Sequence, residues 1–116
     1  MEKINLSEKL TQFKEHWRPH VIAQLNGNDV MVAKFLGEFP WHHHQDTDDF
    51  FLVLQGEVLL DVEGNTHRVG PGELFVVPAG VEHRPRAEQE AHVMLIERAG
   101  TPNTGNAATA VTKPTI

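Results

Sequence analysis

Apolar and polar residues alternate in short blocks through most of this chain, and the blocks end at Gly, Pro or Asn roughly every eight to twelve residues. His20–Leu25 reads as a strand. Asn26-Gly-Asn-Asp29 is a hairpin turn signal, and Val30–Phe39 is the partner strand, closed by Pro40. Phe50–Leu54 is apolar on both faces, the mark of a strand covered on both sides. Val58–Glu63, Thr66–Val69, Leu74–Val77, 83–86 and 91–98 continue the pattern, separated by turns at 63–66, 70–72 and 78–80. About nine or ten short strands in this rhythm predict an antiparallel all-β sandwich or barrel.

The ends have a different character. Leu6, Leu10, Phe13 and Trp17 fall on one helical stripe, so residues 6–17 read as an amphipathic helix with Ser7 at its N-cap and Pro19 beyond its end. So short a helix persists only when packed. Residues 100–116 are small and polar with one charge, and alone cannot bury enough surface to fold. The expectation is a lead-in over 1–19, a barrel over 20–99, and a flexible tail over 100–116 that is free or clasps a partner.

Composition narrows the function classes. The chain has 116 residues, 40% of them hydrophobic, which suits one domain with a single core. A formal net charge of −6, with no cluster of Lys and Arg beyond Arg84-Pro-Arg86, argues against nucleic acid. The absence of cysteine excludes disulfides and thiolate metal sites. No apolar run approaches the length of a membrane span, and Met1–Leu6 lacks the apolar core of a signal peptide, so a cytoplasmic address is expected.

The chemistry is concentrated in Phe39-Pro-Trp-His-His-His-Gln-Asp-Thr-Asp-Asp49, where three adjacent histidines precede three carboxylates. Imidazole and carboxylate are donors for Zn, Fe, Ni, Cu or Mn. Residues two apart on a strand face the same way, so His42 and His44 aim together and His43 aims away. A further histidine, His83, follows Pro78-Ala-Gly80.

These two stretches resemble the motifs of the cupin family. His42-x-His44, four residues, Asp49, six residues and Gly56 follow its first motif. Gly72, five residues, Pro78-x-Gly80, two residues and His83 follow its second. The departures are Asp49 in place of Glu, Ala87 in place of Asn, and Gly37, which lies one residue too close to His42. Counting from Gly37 would select His43 and Gln45 instead, and Asp48 stands next to Asp49 as an alternative carboxylate.

The resemblance implies a jelly-roll barrel and one divalent transition metal (Fe, Mn, Ni or Zn) held by His42, His44, Asp49 and His83. It also implies a homodimer, with a second copy covering the outer face of Phe50–Leu54. Trp41, Phe51, Phe75 and Met94 are candidates for the wall of a substrate pocket. His92 and Glu97 on the last strand can point inward as acid or base, against a surface role. Two functions follow: a metal-dependent enzyme acting on a small organic molecule, dioxygenase- or isomerase-like, or a barrel that binds a small ligand without turnover. A metal-free storage role fits neither the chain length nor the histidine set. Because ligand imidazoles must be neutral, acid below about pH 6 is expected to release the metal.

Overall fold

A computed structural model describes residues 1–116. The elements run α1 (Leu6–Leu10), β1 (His20–Leu25), β2 (Asn28–Glu38), β3 (Asp49–Gln55), β4 (Val58–Val62), β5 (Asn65–Val69), β6 (Leu74–Val77) and β7 (His83–Arg98). All strand pairings are antiparallel, in the order β1-β2-β7-β3-β6, and β4 joins β5 to β7. The antiparallel all-β class predicted from the block pattern, which the resemblance narrows to a jelly-roll barrel, is the class observed. No helix is long and apolar enough to cross a membrane.

The β1–β2 hairpin turns on Asn26 and Gly27, both with positive φ (50° and 77°), the geometry of a two-residue turn whose twist matches its strands. The segments 83–86 and 91–98, read separately in the sequence, are one strand. β2 pairs along one edge of it from Arg86 to Arg98, while β4 takes 83–86 and β3 takes 92–96, so β7 belongs to both sides of the barrel. Gly56 sits against this strand. A Cβ there would lie 2.9 Å from the Glu90 carbonyl oxygen and 3.0 Å from the Ala91 Cα, and its φ is +80°. Glycine is the residue that allows this close approach of two backbones. Asp61 on β4 accepts from Arg84 and Arg86 on β7 and from Thr66, which pins the register that places His83 opposite Val62.

The core fills the barrel. Met31, Ala33, Phe35, Phe51, Val53, Val58, Leu60, Val77, Val93 and Leu95 are buried in one cluster. A smaller cluster of Phe13, Ile22 and Val32 lies outside the barrel under Leu6 and Leu10.

The N-terminal helix is shorter than its apolar stripe predicts. It ends at Leu10, and Asn5, not Ser7, is the N-cap, its side chain accepting from the Glu8 amide. The reason is that the stripe serves two places. Phe13 packs outside the barrel, stacked on His20, whereas Trp17 crosses to its mouth and stacks on Phe35 at 4.3 Å. Trp17 has φ +61°, a conformation no helix contains. The tail 100–116 forms neither helix nor strand, but returns to β1, where Thr115 bridges Val21.

Candidate metal centre

Backbone pairing builds the site. The His42 amide donates to the His83 carbonyl (3.0 Å) and the His83 amide to the His42 carbonyl (2.9 Å), so residues far apart in sequence become direct neighbours. His44 follows two residues on and accepts from the Gly80 amide (2.8 Å), which ties the histidine segment to the Pro78-Ala-Gly80 turn. Asp49 opens β3, opposite Val77. Asp48 points elsewhere, its carboxylate accepting from the Ala79 amide at 2.9 Å. His43 also points outward, to Glu82 at 2.8 Å. The alternation of a strand therefore selects His42, His44 and Asp49 for the interior.

One potential ligand atom from each of His42, His44, Asp49 and His83 lies within 4.8 Å of the others. All four residues are buried, with exposures of 7%, 4%, 3% and 1%. Asp49 Oδ2 is the hub: His83 Nε2 lies 2.8 Å away, His44 Nε2 3.0 Å and His42 Nε2 3.8 Å. The Nδ1 atoms of His42 and His83 face the backbone carbonyls of Pro40 (3.0 Å) and Val81 (2.9 Å). A ring that donates from Nδ1 to a carbonyl presents Nε2 as the ligand, the usual way a protein orients a metal-binding histidine.

His44 is different. Despite its proximity to Asp49, the orientation makes no hydrogen bond, and neither buried ring nitrogen has a partner. An orphaned buried polar atom is rare. A cation among these donors accounts for it, so the residues present fit a divalent metal.

The electrostatics are those of a tight cluster. Burial lowers His42 to about 4, the Pro40 carbonyl only partly opposing it. Burial also disfavours the charged form of His44, but the Asp49 carboxylate outweighs it and raises this histidine above its ordinary value. Burial would raise Asp49, yet the His44 and His83 imidazoles beside it hold it well below the carboxylate range. Burial, reinforced by the Asp49 charge, raises Glu97.

A cavity of about 30 Å³ adjoins the cluster, with His42, Asp49 and Glu97 as its charged or imidazole lining. The remaining wall is mostly aromatic and proline: Trp17, Phe35, Phe39, Phe51, Pro19 and Pro85. Of the pocket candidates named from sequence, Phe51 lines this cavity and four others do not. Trp41 is 48% exposed, with the Arg84 guanidinium over its ring. Met94 and His92 alternate with the buried Ala91, Val93 and Leu95, so they face outward. Phe75 packs on the core with its ring tilted against His67 at 4.7 Å, and does not line this cavity. The same alternation turns Glu97 inward, 5% exposed. That parity was readable in the apolar spacing of the last strand, and it separates His92 from Glu97. No local pattern marks Trp17 or Asn103, because the backbone brings them in from both ends of the chain.

The cupin domain model matches residues 30–97, more than half the chain and the span that contains all four donors. This chain belongs to the cupin family. The uncharacterised protein YdbB of Bacillus subtilis (strain 168) is 36% identical over 84 residues, covering 72% of this chain and 74% of that one. A cupin-2 domain protein from Shewanella frigidimarina NCIMB 400 superposes with a TM-score of 0.81 at 40% identity, covering 82% and 93% of the two chains. The 3-hydroxyanthranilate 3,4-dioxygenase of Bos taurus is 36% identical over 61 residues, covering 49% of this chain. The cupin chain spans only 21% of that enzyme's length.

Proposed function

We propose that this cupin holds one divalent transition metal through His42, His44, Asp49 and His83 and uses it to transform a small organic molecule, with dioxygenase-like chemistry. The observation that carries the reading is the buried, convergent donor set with His44 left unpartnered. A metal held by these four residues would supply a Lewis-acidic, redox-capable centre beside the cavity. Three imidazoles and one carboxylate suit Fe, Mn, Ni or Zn alike.

The chain's own residues supply the rest. The carbonyls of Pro40 and Val81 hold the rings of His42 and His83 in place. Phe35, Phe39 and Phe51 exclude water and favour an aromatic or otherwise apolar substrate over a sugar, which sets an isomerase acting on sugars behind a dioxygenase. Glu97 places a carboxyl in the same space, within reach of a proton to be moved. The partial similarity to the bovine dioxygenase supports the same direction. Oxygen uptake by Fe(II)-loaded protein with a panel of hydroxylated aromatics tests it. Consumption that disappears in His83→Ala is the expected result.

A second reading, ligand capture without turnover, rests on the same aromatic wall, which can hold a ring without any step at a metal. Saturable binding of those aromatics with no oxygen uptake would select it.

We also propose a homodimer. Leu6, Leu10 and Phe13 cover part of the outer sheet face, packing on Ile22, Val30, Val32 and Leu54. Phe50 and Ile96, Leu52 and Met94 pair side by side on the rest of it, beside exposed Leu74 and Val76. Such an apolar patch suits a second copy of the chain.

A further inference from the structure

A cavity of about 30 Å³ is too small for an organic molecule, since a small-molecule site needs roughly ten times that volume. If the cavity is the reaction site proposed above, some part of its wall must leave. Two walls come from outside the barrel: Trp17 with Pro19 from the N-terminal lead-in, and Asn103 from the tail.

The N-terminal wall is fixed. The Trp17 amide donates to the Lys34 carbonyl (2.9 Å), its indole donates to the Leu36 carbonyl (2.8 Å), and its ring stacks on Phe35. Nearby Phe13 anchors the same segment in a buried cluster.

The tail is held differently. No residue from 99 to 116 is buried. Up to Lys113 its attachments to the rest of the chain are polar; only Ile116, at the end, packs on an apolar cluster. Lys113 Nζ lies 3.3 Å from Glu97 Oε2 and donates to the Thr101 carbonyl. The Arg18 guanidinium donates to the Thr112 carbonyl (3.0 Å) and hydroxyl (2.6 Å). The Val111 amide donates to Asn103 Oδ1 (3.1 Å), which orients that side chain. Gly105, at φ +77°, lies so close to the metal-binding loop that an added Cβ would collide with the His43 carbonyl. Beyond Lys113 the end of the chain is hydrogen-bonded to β1 on both sides of Val21, through Pro114 (2.8 Å) and Ile116 (3.0 Å). Segments with few buried apolar groups open locally at low cost.

We propose that residues 100–113 form a strap over the barrel mouth, latched by Lys113 on Glu97, which lifts to admit substrate to the metal cavity. The pairing of 114–116 with β1 keeps the strap tethered while it is open. Lifting removes Asn103 from the cavity and frees Glu97 to meet the substrate. Closing shuts out water again.

The test compares Lys113→Met and Gly105→Ala with the parent in a Trp41→Phe background, which leaves Trp17 as the single tryptophan. Lys113→Met removes the latch, and Gly105→Ala forces the strap from the His43 backbone. Two readouts are taken on full-length protein: acrylamide quenching of Trp17 without metal, and the rate at which a chelator extracts Co²⁺. Both are expected to rise, extraction by about tenfold for the loss of one charge-assisted contact, with unchanged circular dichroism. If Gly105→Ala does not fold, Lys113→Met decides. Quenching and extraction both equal to the parent's would overturn the strap. Increased quenching in a protein that takes up no Co²⁺ would leave the strap standing and refute the metal site instead.

Discussion

His42 shows how the site couples to pH. Its folded-state value of about 4 lies below the ordinary 6.5, because burial disfavours the imidazolium. Between those values the unfolded chain binds the proton and the folded chain does not. His42 therefore contributes stability that is present above pH 6.5 and lost as pH falls toward 4, about 3 kcal/mol in total. His44 and Glu97 are shifted upward and act with the opposite sign, losing their contribution as pH rises. Urea unfolding of metal-free protein at pH 7 and pH 4.5 isolates the His42 part: the stability of His42→Leu relative to wild type should improve at the lower pH by most of that amount. An unchanged difference would count against a neutral, buried His42. For the metal-loaded protein, protons compete with the metal for the imidazoles, so affinity should decline as pH falls. The four donors were legible as residues because strand alternation and the second histidine motif place them. Motif spacing favoured Asp49 over Asp48, but what turns Asp48 away was not legible, since it is the Ala79 amide in the turn after the neighbouring strand.

At the scale of elements, β7 unites the molecule, and Gly56 is where β3 and β4 bend against it. Gly56→Ala would drive a Cβ into the backbone of Glu90 and Ala91 and strain a positive φ, costing about 1–3 kcal/mol or more. A shift of the urea midpoint measures this, and a wild-type midpoint would show that the close approach is not required. The strand blocks and hairpin turn were readable from periodicity and Asn-Gly chemistry. The joining of 83–86 to 91–98 was not, because Glu88-Gln-Glu90 looks like a turn by polarity yet continues the strand, exposed to solvent. The helix was over-read for a related reason: an apolar stripe records which residues are buried, and here Phe13 and Trp17 are buried in different places.

At the scale of the whole molecule, the chain leaves an apolar band across β7, β3 and β6 that its own helix does not cover. A Leu52→Glu, Leu74→Lys variant should convert a dimer to a monomer in sedimentation while leaving the fold and metal content intact. A wild-type protein already monomeric at high concentration would refute the interface. The two termini meet at the opposite concern, the barrel mouth, where Arg18 and Thr112 join lead-in to tail. The central claim is that four buried side chains from three segments of chain converge on one cation. Element analysis of protein purified without chelator tests it most directly, with wild type, His44→Ala and His83→Ala compared after dialysis at neutral pH. The account predicts close to one transition-metal ion per wild-type chain and little in either variant. Metal-free wild type that cannot be loaded, or variants that retain the metal as fully as wild type, would contradict it.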